Sequence, residues 1–564
     1  MTLSKLPVQS LDDPQHRRRH REVTNLVLTH QHDDSRVQTA AEKLAGVTPV
    51  NYAYPPGDVR RFGIAGDGIT DDSAKLNNAL LVGGVVRVPF GVNVAATEIT
   101  IGVANTQLVI DGTVTQTTYD NKLFDVTAAN CSIAGSGTIV SPATFDGTNA
   151  ARTYAVMWVT GDGFYCSGVR FENIPRCGIR LEGVRNARII GCLVDGNFPY
   201  ASYGGTNVGH LFVDIDAPTT STVGDDVGIV IANNIIKECV QGVFVGNLGS
   251  AGTEAGILMT GNVVVRCWDH GFYGSLGEGF NISSNTFVST HKPITVSGTA
   301  GLINGNVLYS TEDTDSNGQQ HIQLRESSGC VINGNTVYGL AASIFIDCPD
   351  DGVADEASDN IISNNTIVRT GPGDAGSAIR VGNFTDVCEN NVVENNTIIG
   401  GDFTSTVGVI QLEMKSGSTG LNNIVRNNTI TTTGVSNGIQ ASNHDAVMVY
   451  GNRISMTGDA GSATTIRGIY IIDCLNADVD NNTVLYESGG TNVTIRGINT
   501  SGTCTGSRFT NNKFRLTSGS LAGSDALAFI GALFQTGNIV NGGTALATTA
   551  TQNFAYVPTC AGTH

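Results

Sequence analysis

Three groups of side chains carry residue types suited to chemistry on a sugar polymer. The first holds Glu182, Asp214 and Asp216, with His210 and Phe212 close by in the chain. Paired carboxylates beside an aromatic ring suit glycoside hydrolysis, in which one acid stays protonated while the other stays ionised. The second group joins Asp269, His270, Tyr273, His291, Lys292, His321 and Arg325. A His, Lys or Tyr base facing a cation that stabilises an enolate-like intermediate suits a metal-free polysaccharide lyase. The third sets Asp347 after Arg325, with Glu413 further on; an Arg325–Asp347 ion pair is the structural alternative there. The catalytic candidates are therefore Glu182, Asp214, Asp216, Asp269, His291, His321 and Arg325. The candidate substrate-binding residues are Phe212, Phe244, Tyr273, Lys292 and Asp347. Phe212, Phe244 and Tyr273 read as an outward aromatic stripe, either a platform for sugar faces or a subunit contact. Histidines lack ligand spacing and no EF-hand loop is present, so neither metal nor cofactor is expected.

These groups acquire spacing only through the elements that carry them. A short strand recurs as GIRLEG at 178, HLFVDI at 210, GVFVGN at 242, GFYGSL at 271, PITVSG at 293, HIQLRE at 321 and SIFIDC at 343, and onward to GINTSG at 497. Its second and fourth residues are mostly apolar and face inward; the third and fifth face out. A second unit, Asn or Gly (once Ser284) followed by Asn, recurs twelve times, its second Asn falling at positions from Asn234 to Asn538 at intervals of 21 to 32 residues. Such a period marks stacked coils. Asn and Gly tolerate the left-handed backbone of a tight turn, and stacked amides hydrogen bond from coil to coil. The Asn series is therefore structural. Coils spaced about 4.8 Å apart turn the scattered acids into columns within reach of one sugar ring. The fold class is all-β, a parallel β-helix with two or three strands per coil.

Composition agrees. Gly stands at 70 of 564 residues, while 15% are charged and 6% aromatic, a profile of short strands and many turns. The net charge of −18 disfavours a nucleic-acid partner. The twelve cysteines form no CxxC pair and many lie in strand-like runs, so buried free thiols are expected. No signal peptide and no apolar run long enough to enter a membrane are visible. Residues 1–57 read as a polar attachment arm and linker, with a short helix within 36–45. Residues 58–96 read as an N-terminal cap with a helix at about 72–82, N-capped by Thr70 or Asp71. The coils occupy 97–540, and 541–564 closes the stack. The Asp225–Asp226 pair and the DTDSNG loop at 313–318 read as turn chemistry.

The stretch DVRRFGIAGDGITDDSAKLNNAL at 58–80 resembles the opening of the pectate-lyase-like superfamily. It matches at Asp58, Val59, Phe62, Gly63, Gly66, Asp67, Gly68, Thr70, Asp71 and Asp72, with Val88 and Pro89 following. Within that superfamily the polar arm and long coil stack look most like bacteriophage tailspikes. That resemblance implies a right-handed single-stranded parallel β-helix, usually homotrimeric. It further implies a virion protein that binds, and often cleaves, a bacterial surface polysaccharide, with residues 1–57 attaching to the phage tail, baseplate or an adaptor. Of the polygalacturonase motifs only a DD pair, Asp225–Asp226, occurs, with no GHG or RIK, and the DPHD run of alginate epimerases is absent. Hydrolysis, β-elimination, binding alone, and a bacterial glycan-processing role remain alternatives at this point.

Overall fold

A computed structural model describes residues 37–548, except 119–120, 143–154, 175–176, 198–209, 217–227, 247–255, 311–319, 348–356, 371–375, 383–386, 401–406, 415–418, 434–436, 459–464, 489–493, 517–524, 530–532, 537 and 542–546. Most described coils contribute three strands, and strands pair in parallel with their counterparts on neighbouring coils; two coils add a short fourth strand, Gly420–Leu421 and His444–Asp445, which pair with each other. One coil runs through Cys177–Glu182, Arg188–Ile190 and Leu193–Asp195. The next runs through Leu211–Asp216, Val230–Ala232 and Ile235–Lys237, directly in register. The chain is a solenoid of three stacked parallel sheets, here termed the long-strand sheet and the first and second short-strand sheets.

Local chemistry explains the corner between the two short-strand sheets. It consists of two residues in nearly every coil. The first adopts a left-handed backbone, as at Asn233, Gly261, Ser284, Gly305, Gly334 and Asn364. The second is the repeated Asn, whose amide points inside. Asn234 donates to Asn262 Oδ1 at 2.9 Å, Asn262 to Asn285 at 2.9 Å and Asn285 to Asn306 at 3.0 Å. The same oxygens also accept the backbone N–H of the preceding Asn, as in Asn234 N to Asn262 Oδ1 at 3.0 Å. Each remaining amide proton reaches a strand carbonyl, as from Asn262 to Ile231 O at 2.9 Å. Buried amides left without partners would cost about 1–3 kcal/mol each; here every ladder amide serves its neighbour. The ladder extends to Asn538, the last of the expected positions. A second, shorter ladder through Asn360, Asn391 and Asn423 occupies the corner before the first short-strand sheet.

Inside the coils, aliphatic columns such as Ile179–Val213–Val243–Phe272–Ile294 form one continuous core. All ten described cysteines are free and buried, in keeping with small sulfur side chains filling interior positions.

The N-terminal end is closed by Ser73–Leu81, which buries Leu76, Ala79 and Leu80 over the first coil. Asn77 accepts from Thr100 N and donates to Glu98 O, so one helical side chain pairs the edge strand Ile99–Ile101. The helix cap differs from expectation. Thr70 and Asp71 belong to the strand Asp67–Asp71, and Asp72 occupies the N-cap position. The buried Asp72 carboxylate instead accepts from Ala65 N and Gly66 N, tying the Gly-rich turn to the helix. Asp67 accepts from Ile69 N and Thr70 N and its pKa is held down to about 2 by those bonds. The start signature is thus turn and cap chemistry. The expected short helix forms at Ala40–Leu44 with a Thr39–Glu42 capping box. Glu42 then makes a buried two-point bond to Arg61, Oε1–Nε at 2.6 Å and Oε2–Nη2 at 3.1 Å, which fastens this segment to the cap.

Candidate functional site

The outer face of the long-strand sheet carries the columns that matter. The middle outward column reads Trp158, Arg180, Asp214, Phe244, Tyr273, Thr295, Gln323, Phe345, Arg380 and Gln411. Two residues further along each strand, a last column begins with Glu182 and Asp216. By register it continues through Gly246, Ser275, Ser297, Arg325, Asp347, Gly382 and Glu413.

The structure corrects the register at Leu211–Asp216. Asp214 lies opposite Arg180, and it is Asp216 that faces Glu182. Phe212 is not on the outer face: it is fully buried and meets Phe171 edge-on at 5.6 Å. The physical reason is a corner at the strand start where two successive residues, Phe212 and Val213, both enter the core, as Val156 and Met157 do two coils earlier. Strict alternation therefore begins one residue late. His321 occupies the same corner position and is likewise fully buried, packed over Gly339. Burial, then the charges of Arg369 and His291, push its pKa down to about 3. It belongs to the interior and is removed from the outward catalytic set.

The first acidic group is organised by a cation. Arg180 meets Asp216 Oδ2 at 2.5 Å and Asp214 Oδ2 at 3.8 Å, and its guanidinium lies 4.8 Å from the Trp158 ring centroid. A carboxylate in so short a pair accepts charge-assisted hydrogen bonds from the guanidinium. Glu182 is half-buried beneath Asp216.

The second group divides. His270 is nearly buried, its Nδ1 3.0 Å from Asp269 Oδ2, and its ring lies 4.3 Å from that of Tyr273. Burial, opposed by Asp269 and aided by the charges of Lys292 and Arg325, lowers the His270 pKa. Burial opposes ionisation of Asp269, but its bonds to His270 and Gln241 and the charge of Lys292 outweigh it and hold the carboxyl low. Lys292 is the register neighbour of His270. His291 is buried beside Trp268, ring centroids 6.0 Å apart. The expected lyase set is thus dispersed between the largely buried Asp269–His270 pair, the buried His291 and the core His321.

Arg325 has a different setting. It lines a cleft of about 290 Å³ together with Phe244, Tyr273, Gly246, Ser275 and Ser297. Phe244 and Tyr273 form one wall, their ring centroids 5.6 Å apart. The small residues of the last column form the floor. Gly246 is required there, since a Cβ would lie 2.4 Å from Asp216 Oδ1.

Beyond Arg325 the same column reaches Asp347. The expected Arg325–Asp347 ion pair is not formed, although the two are register partners. Asp347 instead accepts from Arg380 Nη2 and Gln323 Nε2, both at 2.8 Å, and Arg380 stacks 4.2 Å from the Phe345 ring centroid. Arg380 stands in the middle column, where stacking on Phe345 turns it toward Asp347 and away from a straight column pairing. Two coils on, Glu413 accepts from Gln411 Nε2 at 2.5 Å. Burial raises its pKa, with the charge of Arg380 opposing. Gly382 lies between the two acids at φ +90°, so no side chain fills that step.

The strand repeat placed Arg325, Asp347, Glu413, Phe244 and Tyr273 in the outward columns where the structure has them. It missed Trp158, Arg180 as a bridge, Phe345, Arg380 and the Gly246–Ser275–Ser297 floor. The signal for these lay in the same columns, read for small residues and Arg as well as for acids. The Asp225–Asp226 pair, the 313–318 loop and residues 1–36 lie outside the described residues.

A family profile described as "Right handed beta helix region" matches residues 250–411. No curated protein matches the sequence. Among solved structures, the chain is similar to a tailspike protein mutant of E. coli bacteriophage HK620 in complex with a pentasaccharide, at 14% identity and TM-score 0.43, covering 78% of this chain and 80% of that one. It is also similar to PfbA, a surface adhesin of Streptococcus pneumoniae, at 14% identity and TM-score 0.34, covering 78% and 91%. A third is the A-module of the Azotobacter vinelandii mannuronan C-5 epimerase AlgE6, at 15% identity and TM-score 0.32, covering 87% and 100%. Three parallel strands per coil, stacked in register around one apolar core, and the matched central region make this chain a right-handed parallel β-helix.

Proposed function

We propose that the protein is a tailspike-type protein of a bacteriophage that binds a bacterial surface polysaccharide, capsule or O-chain, and hydrolyses it on the long-strand sheet. The carrying observation is the alignment, in one column, of an aromatic-walled cleft with the Asp347–Gly382–Glu413 step. A glycan lying along the column stacks on Phe244 and Tyr273 and reaches the two acids beyond Arg325. Two coil steps separate Asp347 and Glu413 by about 9–10 Å along the axis, near the upper end of the roughly 6.5–9.5 Å that inverting hydrolysis uses. Glu413, with its raised pKa, protonates the leaving glycosidic oxygen as the C–O bond breaks. Asp347, oriented by Arg380 and Gln323, takes a proton from the water that bonds to the anomeric carbon. Glu182 and Asp216 supply hydrogen-bond acceptors at the opposite end.

The remainder of the reading concerns assembly. The N-terminal segment joins a tail, baseplate or adaptor component, and the Glu42–Arg61 bond fixes where it leaves the cap. Three copies associate through the second short-strand sheet, whose outer face shows exposed Ile235, Val307, Tyr309 and Ile399. Chain length of host polysaccharide after incubation tests the function. Wild type shortens it, and Glu413→Gln lowers the rate by about 10²–10⁴ while glycan binding persists. Unchanged length on a polysaccharide that binds would leave a receptor-binding protein, and an ultraviolet-absorbing unsaturated product would replace hydrolysis by elimination.

A further inference from the structure

We propose that the cleft selects a carboxylated sugar, with Arg325 as the residue that recognises its carboxylate. The inference rests on the reading of this cleft as a glycan site. Arg325 is half-buried on the outward side of Ile322–Arg325 and lines the cleft. Its register neighbour on one side is Ser297, a neutral hydroxyl, and on the other Asp347. Both Asp347 oxygens are already engaged, Oδ1 by Gln323 and Oδ2 by Arg380. Among the described residues Arg325 forms no ion pair, in a chain whose net charge is −18.

The surroundings favour an anion there. Ser275, Ser297 and Thr295 are neutral donors facing the same space. Lys292 lies two residues before Ile294 on the same sheet, and its charge and that of Arg325 both act on His270. Glu326 lines the cleft as well and is the one acid among its lining residues. A planar guanidinium matches a carboxylate with two parallel N–H bonds, while Tyr273 and Phe244 hold the ring face. Phosphate shares the anionic chemistry but is tetrahedral and more highly charged, and Glu326 at the same cleft disfavours it. Arg380 plays no such part, since its guanidinium is spent on Asp347.

The test measures binding of three probes to the full-length protein and its variants. These are a uronate-containing capsular polysaccharide, the same polymer after carboxyl groups are reduced to alcohols, and a glycerol-phosphate teichoic polymer. Wild type binds the uronate polymer at least about ten-fold more tightly than the other two. Arg325→Gln removes that preference, Arg325→Lys restores part of it, and Glu413→Gln leaves it intact. Equal binding of native and reduced polymer, a stronger response to the teichoic polymer, or an Arg325→Gln loss shared by native and reduced forms overturns the proposal. Tyr273→Ala separates the two readings: it weakens native and reduced polymers alike if the cleft is a glycan site. No binding of any polymer would overturn the cleft reading and this proposal together.

Discussion

The Asn corner and the outer face of the long-strand sheet are built on the same coil spacing, yet they follow opposite rules. At the corner almost every coil presents the same residue in the same bonds, Asn234 to Asn262 to Asn285 and onward. On the outer face neighbouring coils present different residues, and the middle column passes from Arg180 to Asp214 to Phe244 to Tyr273. Repetition marks what every coil needs in order to stack. Variation within a fixed grid marks what only one place on the molecule needs.

The comparison is broken most directly at the corner. Asn365 accepts from Asn335 N and Nδ2 and donates to Ile332 O and Asn396 Oδ1. Asn365→Ala strands several buried polar groups and should destabilise the protein by about 2–4 kcal/mol, read by chemical unfolding. Its neighbour Asn364 has a left-handed backbone, φ 55°, and one exposed bond to Asn333 Oδ1 at 2.8 Å, so Asn364→Gly should cost no more than about 1 kcal/mol. If both variants behave alike, the ladder is not what holds the corner. The outer face should show the reverse pattern. Tyr273→Ala should weaken glycan binding about ten-fold, about 1.4 kcal/mol, and leave the unfolding midpoint near that of wild type.

The smallest effect concerns the interior histidines. The unfolded chain protonates His321 near its ordinary value of about 6.5, whereas the folded chain resists protonation down to about 3. The unfolded state thus binds more protons in that window, and stability present above pH 6.5 is lost progressively as pH falls toward 3. His444, lowered to about 4 by burial, acts in the same sense. His321→Gln should flatten the fall in melting temperature between pH 6.5 and 4. A fall identical to that of wild type would detach His321 from the acid limb.

The sequence disclosed the repeating half of the molecule far better than the singular half. The period, the outward columns from Phe244 to Glu413 and the Asn ladder were all legible, because glycine, asparagine and aliphatic residues recur for reasons of backbone and burial. Phe212 and His321 were misplaced because two successive inward residues at a strand corner leave no mark in the alternation. Trp158 escaped because its strand, Ala155–Val159, lies before the recurring series, which begins at residue 178. The Arg380 clamp on Asp347 depends on side-chain direction, which register alone does not supply. The second Asn ladder involves only Asn360, Asn391 and Asn423, too few repeats to stand out as a period.

The two-residue corner also bears on how such a protein changes over generations. From Asn233–Asn234 to Asn511–Asn512 the connection between the short-strand sheets never lengthens, while coil length ranges from 21 to 32 residues. Length variation is thereby exported to the rest of the coil, chiefly the long strand and the two turns that flank it. A whole coil can be duplicated or lost by joining corner to corner, with the ladder resealing across the junction. New loops, by contrast, arise where they border the long-strand sheet. The hydrogen-bonded corner therefore acts as a splice site for the fold: it lets the stack grow by units and directs diversification toward the long-strand side of the coil.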